Sequence, residues 1–117
     1  MTDTDMIQKK KTAWQLATLA ELFEKGQVSE VVTRSVDKML AYEVEQCQAQ
    51  IAQLTQDLAE YEQRFALSSA EFYQQYQAGQ QDDRMDYRMD YVEWAALFQM
   101  FTNLNERLQL LTGGDGV

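Results

Sequence analysis

The sequence of 117 residues contains no proline and only five glycines. Proline and glycine are the residues that most often interrupt helices, so long helices can form between the few glycines. Gln, Glu, Ala, Leu and Lys, which favour helices, fill these intervals. The composition therefore predicts an all-α protein, and a chain of this length supports a single domain, 1–117.

Histidine is absent, and Cys47 is the single cysteine. Without histidine the chain lacks the usual general base and the commonest transition-metal ligand, and Cys47 has no partner for a nucleophilic pair. Most enzyme classes are thereby disfavoured, and we expect no cofactor and no bound metal. Because neither a membrane-spanning apolar segment nor a signal peptide is evident, we expect a soluble cytoplasmic protein that does not contact membranes.

The net charge of −9 is unevenly distributed. Residues 1–38 carry six acidic and six basic side chains, whereas residues 39–117 carry thirteen acidic and four basic ones. An acidic surface repels nucleic acid and attracts basic proteins. The only basic run is Lys9, Lys10 and Lys11, so any weak DNA contact is predicted there.

The amino-terminal part is predicted to contain two helices joined at a short turn. Residues 1–11 are polar and predicted to be flexible, and Thr12 opens a T-x-x-Q capping box for a first helix ending at Gly26. Ser29 is the predicted N-cap of the second helix. Residues 12–40 thus form a helix-turn-helix-like or dimerisation unit. They resemble the two helices of ribbon-helix-helix regulators, but the alternating segment that would form the ribbon is missing.

Two apolar seams run along the remaining sequence, with residues alternately four and three apart. They are Leu40, Val44, Cys47, Ile51, Leu54, Leu58, Tyr61 and Phe65, and then Trp94, Leu97, Phe101, Leu104, Leu108 and Leu111. This spacing is typical of coiled coils. Between the seams, a capping box at Ser68 predicts a short corner helix that ends at Gly79. We therefore predict that residues 40–112 form a long coiled-coil hairpin that assembles into a dimer or larger oligomer.

Residues 84–91 read RMDYRMDY, a four-residue unit written twice. In a helix, each residue of the second copy lies about one turn beyond its twin, so Tyr91 follows Tyr87 and Asp90 follows Asp86. One interpretation is a tolerated duplication that lengthens the last helix by a turn. The other is a selected doubling of an acidic, tyrosine-bearing contact surface.

The acidic, tyrosine-rich corner at residues 72–93 is the candidate partner-binding site, since tyrosine is enriched at protein interfaces. Its candidate residues are Tyr73, Tyr76, Asp82, Asp83, Asp86, Tyr87, Asp90, Tyr91 and Glu93. The acids could bind a basic protein, or they could simply stabilise a helix N-terminus. A divalent-metal site is a further alternative, although the spacing of an EF-hand loop is absent.

An enzyme remains the more distant alternative. Magnesium-dependent all-α nucleotide pyrophosphohydrolases bind the metal with acidic pairs three residues apart, and Glu21 with Glu24, or Asp90 with Glu93, have this spacing. Such pairs are frequent in any acidic helical protein, so the signal is weak.

Three residues that could carry chemistry are instead predicted to be core residues, because they lie on apolar stripes. These are Trp14, Trp94 and Cys47. Tryptophan on such a stripe is more often a core anchor than a ligand-stacking group, and an isolated cysteine behaves as a small hydrophobe.

Three segments, SEVVTRSVDKMLAYE, YEQRFALSSAEFYQQYQAG and MDYVEWAALFQMF, resemble small bacterial proteins, frequent in cyanobacteria, that are encoded beside toxin genes as antitoxins. The resemblance covers about residues 14–111. Its most specific part is the order S-S-x-E-F-Y at residues 68–73, then Gly79, an acidic stretch, and D-Y-x-E-W at residues 90–94. The family has one D-Y before x-E-W, so the RMDY doubling resembles an insertion.

The resemblance implies a non-enzymatic protein that binds and neutralises a partner toxin, commonly an RNA-cleaving one, and that contributes to repression of its own operon. An acidic surface suits such a partner because an RNA-binding site is basic. A coiled-coil scaffold or chaperone-type interaction protein is the leading alternative from a different class.

Overall fold

A computed structural model describes residues 2–79 and 87–113, and within them the chain forms four α-helices and no strand. The helices are α1 (Thr2–Glu24), α2 (Glu30–Phe65), α3 (Ser69–Gln77) and α4 (Arg88–Leu111). The prediction of an all-α protein is confirmed. The chain divides into two compact units, residues 1–39 and residues 40–117. The prediction of a single domain stays a prediction.

α1 begins ten residues before the predicted start, so the assignment of Thr12 as its cap is wrong. The Thr12 hydroxyl donates a hydrogen bond to the carbonyl oxygen of Gln8 at 3.0 Å, as threonine does inside a helix. Asp3 and Asp5 occupy the first turn, where their negative charge interacts favourably with the positive end of the helix dipole. Gln8, Lys9, Lys10 and Lys11 are good helix formers, and together with the acidic first turn they outweighed the capping pattern at Thr12.

The turn between α1 and α2 has the predicted capping residues. Gly26 has a left-handed φ of +68°, and its amide donates to the carbonyl of Phe23 while the amide of Gln27 donates to that of Leu22. These two bonds form a Schellman motif, which ends α1. The amide of Val32 donates to the Ser29 hydroxyl at 3.4 Å, so Ser29 caps the start of α2 as predicted.

α2 has 36 residues and buries most of its predicted seam. Cys47, Leu54 and Leu58 are buried, and Val44, Ile51, Tyr61 and Phe65 are half-buried. Leu40, in contrast, is 44% exposed, so the buried stripe starts one step later than predicted. Cys47 is 2% exposed and its thiol donates to the carbonyl of Leu104 at 3.2 Å, which confirms that it is a packed residue.

A tight corner separates α2 from α3. Ala66 has a positive φ of 54°, which takes the chain out of α2. The Ser68 hydroxyl accepts the amide of Glu71 at 3.2 Å, so the predicted cap of α3 is confirmed. A second cap comes from α2, because a carboxylate oxygen of Glu62 accepts the amide of Ser69 at 2.9 Å. The Ser68 hydroxyl and the Glu62 carboxylate thus satisfy two amides at the positive end of this short helix.

Within residues 40–117, α2 and α4 lie side by side and run in opposite directions. Cys47 contacts Leu104 near one end, and the rings of Tyr61 and Trp94 stack with centroids 5.6 Å apart near the other. α3 packs across them through Phe72, which is fully buried. Trp94 is also fully buried, so its predicted place in the core is confirmed. The same prediction for Trp14 is wrong, because that side chain is 67% exposed.

Candidate interaction surface

An aromatic cluster holds α2, α3 and α4 together. The rings of Phe72 and Trp94 stack with centroids 3.8 Å apart, and Phe65 stacks on Trp94 at 5.5 Å. A ring pair at the spacing of Phe65 and Trp94 contributes about 0.5–1.5 kcal/mol beyond the area that it buries. The indole nitrogen of Trp94 donates to the buried Ser69 hydroxyl at 2.9 Å, so its only polar atom is satisfied.

The tyrosines that were predicted to contact a partner belong largely to this cluster. Tyr91 is only 9% exposed and therefore offers a partner little surface. Tyr73, Tyr76 and Tyr87 are half-buried and pack against the cluster, for example with Tyr73 at 5.2 Å from Phe98. Each of the three is partly accessible. The partner-binding role of all four stays a prediction.

The RMDY doubling is only partly described, because its first three residues lie outside the described chain. α4 begins at Arg88, the first residue of the second copy, and Tyr87 is its N-cap position. The ring of Tyr87 lies 6.2 Å from that of Tyr91, the relation expected for residues one turn apart. Both rings also contact Phe65, at 5.4 Å each. The doubled tyrosine thus extends the aromatic cluster.

Among the predicted acidic residues, the structure describes Asp90 and Glu93. Asp82, Asp83 and Asp86 lie outside the described residues. A carboxylate oxygen of Asp90 accepts a hydrogen bond from the Arg64 guanidinium at 2.6 Å, which joins α4 to α2. The Arg64 guanidinium also lies 5.0 Å from the centre of the Phe65 ring. Asp90 is therefore engaged within the chain, whereas Glu93 is exposed on the same helix.

Glu93 forms one wall of an open groove between α2 and α4, with a volume of about 310 Å³. The groove is lined by Asp57, Glu60, Tyr61, Arg64, Glu93 and Leu97. Three of these side chains are carboxylates and only one is cationic, and that cation is paired with Asp90. The groove therefore presents excess negative charge to solvent.

Sequence reasoning missed the α2 side of this groove. Asp57, Glu60 and Arg64 lie beside Leu58 and Tyr61 of the seam, at positions that flank the apolar stripe. Charged residues that flank such a stripe commonly face the neighbouring helix and control which helix it accepts. This spacing is the signal that the sequence offers for the α2 side, and the dense acids at residues 82–93 form a stronger one.

The Tyr61 hydroxyl on the groove wall titrates well above its ordinary range. Burial, the hydrogen bond to Glu93 and the negative charges of Glu93 and Asp90 raise the pKa of Tyr61 to about 12, while nearby Arg64 acts in the opposite direction. Each of the first effects disfavours the phenolate. Tyr61 is therefore a hydrogen-bond donor that holds the Glu93 carboxylate at the groove, rather than a base.

The acidic pairs that suggested magnesium binding do not form a cluster in the described residues. Glu21 forms an ion pair with Lys25 at 3.4 Å, and Asp90 binds Arg64. Across residues 2–79 and 87–113, no three His, Cys, Asp or Glu side chains are grouped closely enough to hold a metal ion.

The lysines predicted to contact DNA lie on α1, and all three are exposed. Lys9, Lys10 and Lys11 are consecutive, so they fan out over about 200° of the helix circumference. No strand that could form a DNA-reading ribbon precedes them in the described part of α1. Any phosphate contact by these lysines would be independent of base sequence.

Among the helices that the structure describes, none is both long and apolar enough to cross a membrane. Comparison with protein-family models, with curated proteins and with solved structures found no match for this chain.

Proposed function

We propose that this chain is a non-enzymatic, antitoxin-like protein of the bacterial cytoplasm that binds and neutralises a basic partner protein encoded beside it. The observation that carries the proposal is the open acidic groove of the unit 40–117, with carboxylates from both α2 and α4. The resemblance of the sequence to antitoxins supplies the class of partner, an RNA-cleaving toxin.

The charge of the groove favours such a partner. A ribonuclease presents cations where it binds the phosphates of RNA, and lysine or arginine side chains from that site would meet Asp57, Glu60 and Glu93. Arg64 is already paired with Asp90 and offers less repulsion to an incoming cation than a free arginine. A partner held in this way is blocked from its RNA substrate, which is the mechanism of neutralisation that we propose.

The proposal includes an assembly and a regulatory role. The seams of α2 and α4 favour a coiled-coil hairpin that associates with further copies into a dimer or larger oligomer. The exposed lysines at residues 9–11 provide for weak contact with DNA, and through it for repression of the operon.

Co-expression with the adjacent open reading frame tests the function. We expect the neighbouring gene to arrest growth when expressed alone, and this gene to restore growth and co-purify with the neighbour's product. A neighbour that is harmless alone, or a toxic neighbour that this chain neither binds nor neutralises, would refute the proposal.

Matched charge reversals then test the groove. Glu60→Lys places a cation in the groove, whereas Glu45→Lys changes the net charge equally on an exposed position of the same helix outside it. We expect Glu60→Lys to weaken the complex at least tenfold and Glu45→Lys to weaken it less than threefold, measured by calorimetry at two salt concentrations. Equal effects of the two variants would mean that only overall charge matters.

A coiled-coil scaffold is the second candidate function, and the large apolar side chains left exposed on α4 favour it. Met89 is 77% exposed and Met100 is 52% exposed. A scaffold requires no toxic neighbour and binds its partners through apolar contacts, so its complexes would resist high salt. The salt dependence of any complex that co-purifies therefore separates the two functions.

A further inference from the structure

The side of α4 that faces away from the aromatic core carries a continuous apolar stripe. Met89 and Met100 are 77% and 52% exposed, Val92 is 48% exposed, and Ala96 is exposed between them. At 100° per residue these four side chains lie within about 80° of the helix circumference, and they extend over about 16 Å along its axis. No other member of residues 88–101 falls in this arc. We call the four residues the outer stripe of α4.

The outer stripe is not needed to hold α4 in place. Tyr91 and Trp94 on the opposite side of the helix are already buried in the core of the unit 40–117. A helix with one buried side normally has a polar outer side. Scattered apolar residues on a surface are ordinary, but an aligned set that includes two methionines is typical of a binding surface. The stripe ends at Met100, because Asn103 and Arg107 continue the same arc with polar side chains.

One border of the outer stripe is the acidic groove. Glu93 follows Met89 by four residues and Leu97 precedes Met100 by three, so both of these groove residues adjoin the stripe on the surface of α4. Two further carboxylates line the groove from α2. An apolar surface and an acidic one are therefore side by side within the same unit.

We propose that the outer stripe and the acidic groove together bind one basic amphipathic helix of the partner protein. The partner's apolar side covers the stripe, and its lysines and arginines face the groove. A stripe that is straight over three turns matches the three- and four-residue spacing of apolar positions along one side of a second helix. The other border of the stripe carries Arg88 and Gln99 and no acid within residues 88–101, so the partner's cations lie on the groove side.

Charge selects a basic partner over a second copy of this chain. In an antiparallel pair formed through the outer stripe, the two copies of Glu93 would lie on the same flank and repel each other. Each 39–117 region also carries a net charge of −9, which opposes contact between two of them. An anionic membrane surface would be repelled by the same groove. A helix that is apolar on one side and basic on the other satisfies both parts of the surface.

This inference rests on the proposed function for the source of the partner, and it adds the form in which the partner binds. The groove contributes an attraction that salt screens, whereas burial of the outer stripe contributes an attraction that salt does not screen. The complex should therefore weaken in high salt but keep the part of its affinity that the stripe supplies.

Matched methionine variants of the full chain test the stripe in its complex with the product of the adjacent gene. Met100→Gln makes the stripe polar with a side chain of similar length and helix propensity. Met39→Gln is the control, because Met39 is 51% exposed on α2 in the unit 1–39. We expect Met100→Gln to raise the dissociation constant about fivefold or more without changing its salt dependence, and Met39→Gln to change it less than about twofold. Equal effects of the two variants would overturn the proposal.

A synthetic helix tests the same surface without the toxin. The probe is a labelled peptide of about 15 residues, roughly four turns, with leucine on one side and lysine on the other. One control peptide has the same residues in an order that gives no apolar side, and the other has glutamate in place of lysine. By fluorescence anisotropy we expect the full chain to bind the probe at least tenfold more tightly than either control. Met100→Gln should weaken this binding, and Met39→Gln should not.

The two experiments distinguish failure of this surface from failure of the proposed function. If the adjacent gene is harmless but the peptides and variants behave as expected, the surface stands and the toxin is not its partner. If the toxin is bound and neutralised but Met100→Gln changes neither complex, the function stands and the surface is wrong. Equal binding of the probe and its reordered control would also overturn the proposal. So would self-association of the wild-type chain that Met100→Gln abolishes, because a second copy then covers the stripe.

Discussion

The two tryptophans show how differently the two units of the chain are built. Trp94 is fully buried among aromatic rings and has its indole nitrogen bonded, whereas Trp14 is 67% exposed. Both lie on apolar patterns in the sequence. In the unit 40–117 a second helix and a corner helix cover the pattern, whereas none of residues 3–39 is buried. An apolar pattern therefore marks a surface that can be buried, and it does not identify what buries it.

The two units also differ in net charge and in the presence of a buried core. The unit 40–117 contains both the aromatic core and the excess of acidic residues, including those that line the groove. The unit 1–39 is neutral overall and leaves large apolar side chains such as Ile7 and Trp14 exposed.

The largest expected effect is on the core of the unit 40–117. Trp94→Ala should lower the free energy of unfolding by about 3–5 kcal/mol, because it leaves a cavity among stacked rings. Trp14→Ala, measured at a concentration where the chain is monomeric, should change it by less than about 0.5 kcal/mol. Urea denaturation followed by circular dichroism measures both. Similar losses in the two variants would contradict the contrast between the units.

Much of the fold could be predicted from the sequence because local signals determine it. The absence of proline leaves long helices uninterrupted. The glycine that ends α1 and the serines that begin α2 and α3 are signals that act over three or four residues. The structure confirms them at Gly26, Ser29 and Ser68. The early start of α1 was missed because helix propensity along residues 2–11 is a weak, distributed signal, whereas Thr12 offered a sharp but incorrect one.

The candidate site was less predictable because it depends on which helices meet. Tyr91 and Glu93 are two residues apart, yet one is buried in the core and the other borders the groove. The groove also required Asp57 and Glu60, more than thirty residues away in sequence, and only the packing of α2 against α4 brings them beside Glu93. Composition indicated an acidic surface, but the location of that surface is a property of tertiary packing.

A smaller effect is expected at the polar bond within the core. Ser69→Ala removes the acceptor of the Trp94 indole N–H in a fully buried position, so it should cost about 1–3 kcal/mol. Ser35→Ala is the matched control, because its exposed hydroxyl only donates to the carbonyl of Val31 within its own helix. If thermal denaturation shows equal losses of stability in Ser69→Ala and Ser35→Ala, the buried hydrogen bond stabilises the unit 40–117 no more than an exposed one.

The free energy of unfolding should depend on pH through the ionisation of Tyr61. Its folded pKa of about 12 lies above the ordinary value of 10.0, so the folded state favours the protonated phenol. The corresponding stability is fully present below pH 10 and is lost as the pH rises from 10 to 12. We expect the loss of stability over this interval to be smaller in Tyr61→Phe than in the wild type. Glu93→Gln should lower the pKa of Tyr61 in ultraviolet titrations that use Tyr61→Phe as the reference.

The smallest effect is expected for the ion pair that joins α2 to α4. Arg64 and Asp90 are 53% and 28% exposed, and solvent screens a pair of this kind, so a double-mutant cycle with Arg64→Met and Asp90→Asn should give a coupling of about 0.2–1 kcal/mol. The coupling should decrease in 1 M salt. Asp90→Asn should also affect partner binding. It frees the Arg64 guanidinium beside the acidic groove, so it should weaken the complex. A complex strengthened by Asp90→Asn would show that the partner does not depend on negative charge at this surface.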